Sequence, residues 1–311
     1  MLVWLSLLVF FIFMSISSFS WPVVWSMDAV CLLVFIQVLA WWKGKSSVES
    51  SGKFAVIQFL GSILMCSGFL AYSFYGVEWL LVLGLLLKLG IFPWYGWVPQ
   101  VFGGSSWYAI FLLSSIMKFS SFMVVSVFDW SAVCYYFFIF CAMVNSLIGA
   151  FGGLNQVNLM SLMGYSSLLW GSWMLIASLS NTYVFVVVFF IYCLGFGSIF
   201  FLLDSQVMPS VYSLVFSPKN YSLPLFVGLL SMAGFPPFLS FPMKFMLMCS
   251  GSKLVVGVLM LSSAISVLFY LTVGMAAWFS GTLYKTAVKD FWSSFVVVVS
   301  FWGPFLFFFF F

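Results

Sequence analysis

Residues 79–101 read WLLVLGLLLKLGIFPWYGWVPQV, and this stretch decides the fold class. An apolar run leads to a lysine at position 88, and a glycine and a proline follow at positions 90 and 93. A run of about 20 apolar residues is long enough to cross a bilayer, whereas proline removes a backbone donor and breaks a helix. Irregular backbone at membrane depth is tolerated only inside protein or beside a water-filled cavity. The stretch therefore predicts a broken membrane helix with a buried lysine.

The composition of the whole chain extends this interpretation. Of the 311 residues, 65% are apolar and 5% are charged, against roughly 45–50% and about 25% in a soluble domain. The apolar runs are continuous, whereas strands of a membrane β-barrel alternate apolar and polar residues over about ten positions. We therefore expect an all-α, polytopic membrane helix bundle that forms one integral membrane domain over residues 1–311.

Hydropathy predicts eleven transmembrane helices, at residues 2–19, 21–42, 54–75, 79–98, 105–128, 131–151, 157–180, 182–203, 221–248, 254–280 and 291–311. The longer polar connections are expected at 43–53, 204–220 and 281–290. Residues 1–19 lack a basic leading segment and a small-residue cleavage site, so we expect a retained helix there and not a removed signal.

Lysines in the connecting segments predict the orientation of the bundle, since basic residues accumulate on the side from which a chain is inserted. The side that holds the amino terminus carries six lysines in its connecting segments, at positions 43, 45, 53, 219, 285 and 289. The opposite side carries Lys253. The amino terminus is therefore expected on the matrix or cytoplasmic side. With an odd number of spans, the carboxyl terminus is expected on the opposite side.

Four charged residues fall inside predicted spans: Asp28, Lys88, Lys118 and Lys244. A charge at the centre of a membrane helix costs at least roughly 2.5–3.5 kcal/mol on insertion scales, so each placement points to a function. Snorkelling of the side chain to the headgroups is the alternative. It suits Asp28 and Lys244 better than Lys88 and Lys118, which lie deeper in their spans. Lys88, for example, is about 13 Å from the start of its span at the rise of a helix.

A second intramembrane lysine also lies near prolines, since Lys244 comes directly after GFPPFLSFP at residues 234–242. We expect helix breaks at Pro93, Pro236, Pro237 and Pro242. The broken spans are the fourth and the ninth, so they cross the membrane in opposite directions. This spacing is typical of inverted repeats, here approximately residues 1–128 and 131–280 with a C-terminal helix at 291–311.

Several site classes are excluded by residue usage. The chain has no histidine, and none of its six cysteines forms a C-x-x-C pair, so we expect no zinc, haem or iron–sulfur ligation. The ten basic residues form no cluster with aromatics, so we expect no nucleic-acid partner. The abundance of Phe, Val, Leu, Ser, Gly and Trp fits T- and G-rich codons, which are typical of a small organellar genome.

Three segments resemble signatures of subunit 2 of mitochondrial NADH:ubiquinone oxidoreductase (respiratory complex I), an antiporter-like membrane subunit. Residues 88–101 are similar to the family's K-L-G-x-x-P-F-H-x-W-x-P-E-V. Residues 152–156, 164–167 and 172–174 are similar to its G-G-L-N-Q, A-Y-S-S and G-W-M. Residues 230–244 are similar to its L-S-L-G-G-L-P-P-x-x-G-F-x-P-K. The resemblance covers the chain from about residue 20 to residue 250.

The resemblance implies a proton-translocating subunit in which Lys88, Lys118 and Lys244 relay protons during electron transfer from NADH to ubiquinone. It implies a chain without cofactor, since NADH, FMN, iron–sulfur clusters and ubiquinone would bind other subunits. The implied partners are neighbouring antiporter-like and small membrane-arm subunits, together with phospholipids. The implied location is the mitochondrial inner membrane, with the amino terminus in the matrix and the carboxyl terminus in the intermembrane space. Two other functions stay open: a free-standing cation/proton antiporter, and a structural spacer that does not pump.

The chain departs from the family pattern at three polar positions. The family's acidic residue in the second span falls on Ala29, with Asp28 one residue away, and its Glu after the broken span is Gln100 here. Its membrane histidine falls on Trp170. Asp28 and Lys88 should nevertheless lie at nearly the same depth, so we expect them to form an ion pair. In place of the histidine we expect a polar relay between Lys118 and Lys244, formed by Tyr165, Ser166 and Ser167.

Overall fold

The computed structural model describes residues 21–41, 45–204, 210, 219–236, 238–250, 252–280 and 290–302. Within these ranges the chain forms α1 (Trp21–Trp41), α2 (Lys45–Tyr75), α3 (Trp79–Leu89), α4 (Trp97–Gly104), α5 (Trp107–Ser114), α6 (Ile116–Val127), α7 (Ala132–Leu154), α8 (Leu159–Ser180), α9 (Thr182–Asp204), α10 (Lys219–Ala233), α11 (Ser240–Ser250), α12 (Lys253–Ser280) and α13 (Asp290–Ser300). The predicted first span at 2–19, the segment 281–289, the last span beyond residue 302, and Pro237 lie outside the described residues.

Seven segments within the described ranges are long and apolar enough to cross a membrane: α1, α2, α5 with α6, α7, α8, α9 and α12. The shorter apolar helices α3 and α10 belong to the two spans that prolines interrupt. The all-α architecture is therefore confirmed. The total of eleven spans stays a prediction.

Close helix packing depends on glycine where α2 meets α3. A Cβ atom on Gly84 would lie 2.8 Å from the backbone nitrogen of Met65 and 3.1 Å from the carbonyl oxygen of Gly61. Such contacts leave no room for a side chain, so the two backbones approach closely, as small residues allow in membrane bundles.

The connecting segments meet in the pattern that alternating crossings require. The carboxylate of Glu78, before α3, accepts hydrogen bonds from the backbone and hydroxyl of Ser131, before α7, at 3.0 and 2.8 Å. Asn158, before α8, forms an isolated antiparallel bridge with Ser210, which follows α9. Each contact joins connections that the predicted topology puts on one side of the membrane.

The prediction of a polar connection over residues 43–53 is wrong from residue 45 onward, because α2 begins there. The hydroxyls of Ser50 and Ser51 donate to carbonyl oxygens three residues earlier. Glu49 and Lys53 form an ion pair one turn apart at 2.6 Å. These local contacts, together with packing of Ser50 against Gly104, support a helix in spite of the polar sequence.

Proline and serine also act differently from the prediction at two positions. Pro242 does not break a helix, since it lies in the first turn of α11, where the missing amide donor has no intrahelical partner in any case.

The predicted helix 105–128 is interrupted at Ser115, which separates α5 from α6. The hydroxyls of Ser114 and Ser115 both donate to the carbonyl oxygen of Phe111, at 3.1 and 2.6 Å. Serine pairs are a recognised cause of such kinks.

Candidate functional site

The three intramembrane lysines are all buried, and each lies beside a helix interruption. Lys88, Lys118 and Lys244 expose 7%, 4% and 3% of their surface. Lys88 is in the last turn of α3, Lys118 in the first turn of α6, and Lys244 in the first half of α11. These lysines do not snorkel, because burial of this degree keeps their amines away from the surface of the chain.

Lys88 forms the predicted ion pair with Asp28. Its Nζ lies 3.4 Å from Oδ2 of Asp28, and both side chains are about 95% buried, at 5% and 6% exposure. The carboxylate comes from α1 and the ammonium from α3. A buried charge without its partner is strongly unfavourable, so the two groups stabilise each other's charged forms.

The end of α3 is held by side chains from two other helices. Gly90 adopts a left-handed conformation with φ 68°, and the amides of Gly90 and Ile91 donate to the carbonyl oxygens of Leu87 and Leu86, which is the Schellman pattern. Gln58 on α2 donates to the carbonyl oxygen of Lys88 at 3.0 Å. The indole of Trp97 on α4 donates to that of Leu87 at 3.2 Å. The break is therefore an ordered structure.

A small cavity of about 20 Å³ lies beside the ion pair. This volume accommodates about one water molecule. Its polar lining comes from α1, α2, α3 and α6, and consists of Asp28, Gln58, Lys88, Ser120 and Ser121. Since α6 also carries Lys118, the cavity connects the ion pair to the helix of the second lysine.

Lys118 differs from Lys88 in its surroundings. Within the part of the chain that the structure describes, its ammonium forms neither an ion pair nor a hydrogen bond. Its backbone amide donates to the carbonyl oxygen of Ser115, 3.2 Å away, at the interruption between α5 and α6. A buried amine with no counter-ion is suited to accept a proton only transiently.

Lys244 is held by neutral groups. Its ammonium donates to the carbonyl oxygen of Ala233, the last residue of α10, at 2.8 Å. It lies 5.4 Å from the ring centroid of Trp170 and 6.0 Å from that of Trp173. No carboxylate of a described residue lies within ion-pair distance. The proline-rich break predicted here is present between α10 and α11, and Pro236 lies within it.

The residues predicted as a polar relay lie on α8, which packs against both α6 and α11. Ser166 and Ser167 are buried, and their hydroxyls donate to the carbonyl oxygens of Met163 and Gly164, each at 2.8 Å. Ser166 also lies against the phenol of Tyr270 on α12. Tyr165 is half-buried, and its ring covers Gly152. The stretch therefore does not face lipid with its serines, and its role as a relay stays a prediction.

Gln58 and Trp173 are among the contributors to the site that the sequence analysis missed. Gln58 is the lone amide in an apolar run, and this polarity is itself a signal of a functional or structural contact at membrane depth. Trp173 gave no comparable signal, because 15 tryptophans and 42 phenylalanines are spread along the chain. Among the described residues no group of three or more Asp, Glu, Cys or His side chains is arranged to hold a metal ion.

Comparison with known proteins assigns the chain to a family. The family described as NADH:quinone oxidoreductase/Mrp antiporter, transmembrane, matches residues 72–272. NADH-ubiquinone oxidoreductase chain 2 of Artemia franciscana is 30% identical over 296 residues, which is 93% of each chain. The protein of that name from Mytilus edulis is 35% identical over 235 residues, covering 73% of this chain and 71% of the relative.

Solved structures share the fold at lower identity. A chain of Thermus thermophilus respiratory complex I with bound aureothin has a TM-score of 0.80 at 19% identity, covering 93% of this chain and 73% of that one. A chain of the Mrp complex from Dietzia has a TM-score of 0.72 at 16% identity, covering 86% and 58%. By the family match over residues 72–272 and the relatives at 30% and 35% identity, the chain belongs to the NADH:quinone oxidoreductase/Mrp antiporter family, among its NADH-ubiquinone oxidoreductase chain 2 members.

Proposed function

We propose that this chain is a proton-translocating membrane-arm subunit of NADH:ubiquinone oxidoreductase, which relays protons through Lys88, Lys118 and Lys244. The observation that carries the proposal is the buried ion pair of Lys88 and Asp28 at an ordered helix break. Charges at membrane depth are costly and mark ion pathways. Family membership supplies the reaction to which the relay is coupled.

The ion pair gives the first step a physical basis. While Asp28 lies 3.4 Å away, its negative charge keeps the proton on Lys88. When the contact lengthens, the isolated ammonium is unfavourable in its buried position, and the proton leaves its Nζ. Water in the neighbouring cavity accepts the proton and passes it to the neutral amine of Lys118. Asp28 remains a carboxylate throughout, and Lys88 becomes a neutral amine.

The second step passes from Lys118 to Lys244 along α8. Tyr165, Ser166 and Ser167 are its candidate carriers, since a hydroxyl can accept a proton on its oxygen while giving up its own. The chain has no histidine, so water and hydroxyls must complete this connection. Contact of α8 with both α6 and α11 supports this route.

The remaining chemistry belongs to other subunits under this proposal. The chain itself binds no NADH, FMN, iron–sulfur cluster or ubiquinone, and it assembles with neighbouring antiporter-like and small membrane-arm subunits and with phospholipids. It lies in the mitochondrial inner membrane, with its amino terminus in the matrix and its carboxyl terminus in the intermembrane space. The lysine asymmetry of the connecting segments supports this orientation.

The test is the proton-to-electron ratio of the assembled enzyme with Lys88→Met. The proposal predicts a lower ratio with continuing electron transfer, whereas an unchanged ratio would favour a structural spacer. Lys53→Met is the matched control, since Lys53 is 47% exposed and pairs with Glu49 on the surface of α2. Copurification with flavin- and iron–sulfur-containing subunits separates the proposal from a free-standing antiporter.

A further inference from the structure

Lys88 and Lys244 are both buried amines whose positive charge needs a compensating group, and the groups that surround them differ. Both are buried amines beside a broken helix, yet Lys88 faces a carboxylate at 3.4 Å and Lys244 faces two indole rings and a carbonyl oxygen. A protonated amine buried without any compensating group would lose its proton. The neutral groups around Lys244 must therefore compensate its charge.

The two indoles are placed as a pair. Trp170 and Trp173 are three residues apart on α8, so their side chains lie on the same face of the helix. The ammonium of Lys244 is 5.4 and 6.0 Å from their ring centroids, within the range of about 6 Å in which the ring quadrupole attracts a cation. Both rings are almost fully buried, at 1% and 0% exposure, where the attraction is strongest because water does not compete.

The two ring nitrogens have different surroundings. Buried tryptophans usually place the indole N–H against an acceptor; Trp170 lies beside the phenol of Tyr270, but Nε1 of Trp173 has no hydrogen-bond partner among the described residues. A hydrogen bond at the ring edge therefore does not fix the position of Trp173, whose ring centroid lies 6.0 Å from the ammonium of Lys244.

The backbone at the helix break completes the arrangement. Ala233 is the last residue of α10, and the final carbonyl groups of a helix lack intrahelical donors and carry partial negative charge. Gly234 follows with φ 90°, and a Cβ there would lie 2.8 Å from Nζ of Lys244. The glycine therefore leaves the space through which the ammonium reaches the carbonyl oxygen.

We propose that Trp170 and Trp173 are positioning residues that hold the protonated Lys244 by cation–π contacts, in the role that Asp28 has beside Lys88. The part that this proton plays in a relay rests on the proposed function. The contact between Lys244 and the two indoles does not depend on that function. When Lys244 loses its proton, a neutral cage leaves no unpaired carboxylate behind. Loss of the proton therefore leaves an unpaired carboxylate beside Lys88 but only neutral groups beside Lys244.

Other ionisable groups near the cage are few. Tyr192 on α9 packs against Trp170 with ring centroids 5.7 Å apart and ring planes tilted by 43°, and Tyr270 on α12 contacts both Trp170 and Ser166. Cys193 is the neighbour of Tyr192 in the chain. Helices α8, α9, α10 and α12 all pack against α11, and their described residues bring no carboxylate within ion-pair distance of Lys244.

The experiment compares Trp170→Phe, Trp170→Leu and Trp173→Leu in the assembled enzyme, with the proton-to-electron ratio measured as a function of pH. Weaker ring faces hold the ammonium less well, so the alkaline fall of the ratio should move to lower pH in the order Trp, Phe, Leu. For Leu the expected shift is about one pH unit. The control is Trp107→Leu, because Trp107 is equally buried with an unpartnered Nε1 but contacts no lysine. It should leave the profile in place.

A thermal double-mutant cycle separates failure of the cage from failure of the proposed function. Trp170→Phe is measured with Lys244 and with Lys244→Met, by the midpoint of thermal unfolding of the assembled complex. A cage requires the midpoint to fall more when Lys244 is present. Equal falls in both backgrounds would overturn the cage. A pH profile that Trp170→Leu leaves unmoved would also overturn it if Lys244→Met lowers the ratio. If Lys244→Met leaves the ratio unchanged while the coupling is present, the relay fails and the cage stands.

Discussion

Gly61 on α2 lies directly against the side chain of Lys88 on α3. A Cβ atom at residue 61 would come within 2.8 Å of Cγ of Lys88 and 3.3 Å of a methyl carbon of Leu87. The glycine thus creates the space in which the lysine stem lies as it extends toward Asp28. The position of the ion pair depends on helix packing as well as on the two charged residues.

Gly61→Ala should therefore displace Lys88. The added methyl forces the stem away from α2, with an expected loss of stability of about 1–3 kcal/mol and a lower proton-to-electron ratio. Thermal unfolding and proton pumping of the assembled enzyme measure the two effects. Gly52→Ala, on the same helix with nothing within 4 Å of its added methyl, is the control. Equal behaviour of the two variants would show that the packing around Lys88 is loose.

Gly234→Ala should disturb the second broken helix more severely than a comparable change in a regular helix. Alanine is strained at φ 90°, and its methyl would lie 2.8 Å from the ammonium of Lys244. The strain alone costs about 1–3 kcal/mol, and the ammonium should lose its bond to Ala233. Thermal unfolding measures the loss, and Gly257→Ala on α12 is the control because its surroundings are open. A fully stable Gly234→Ala enzyme would contradict this geometry.

Gln58→Leu should impair proton transfer from the ion pair. The change removes the donor to the carbonyl oxygen of Lys88, at a cost of about 1–3 kcal/mol for an unsatisfied buried group, and makes the neighbouring cavity less polar. The proton-to-electron ratio should fall. Gln37→Leu is the matched control, since Gln37 is exposed on α1. If both variants pump equally, the polar lining of the cavity has no part in the transfer.

The orientation of the bundle can be tested with single cysteines at two exposed positions. Ser46→Cys near the start of α2 should react with a membrane-impermeant thiol reagent from the matrix side, and Asp129→Cys before α7 from the intermembrane side. The unsubstituted chain gives the background of its own cysteines. Reaction of the two positions from the opposite sides would reverse the predicted topology.

Sequence reasoning located the ion pair because depth along a helix is simple arithmetic. Asp28 and Lys88 are similar distances from the starts of their spans, and the structure brings them into contact. The breaks after Lys88 and before Lys244 were likewise predicted from glycine and proline. Each of these features has a local signal in residues whose backbone or charge is unusual.

Other parts depended on tertiary contacts that the sequence does not reveal. Residues 45–53 are polar, and packing on Gly104 together with the Glu49–Lys53 pair makes them helical. The interruption at Ser115 follows from serine hydroxyls competing for one carbonyl oxygen, and serines are common elsewhere in intact helices. The contact between Lys244 and the two indoles joins α8 to α11, and no sequence pattern within either helix predicts this contact.

Asp28→Asn tests proton transfer through the ion pair, because it keeps the shape of the side chain and removes the charge that holds the proton on Lys88. The measurement is the proton-to-electron ratio of the assembled enzyme, with Asp129→Asn, an exposed acid, as control. We predict a lower ratio for Asp28→Asn and an unchanged ratio for the control, with electron transfer to ubiquinone continuing in both. An unchanged ratio for Asp28→Asn would contradict proton transfer through this ion pair.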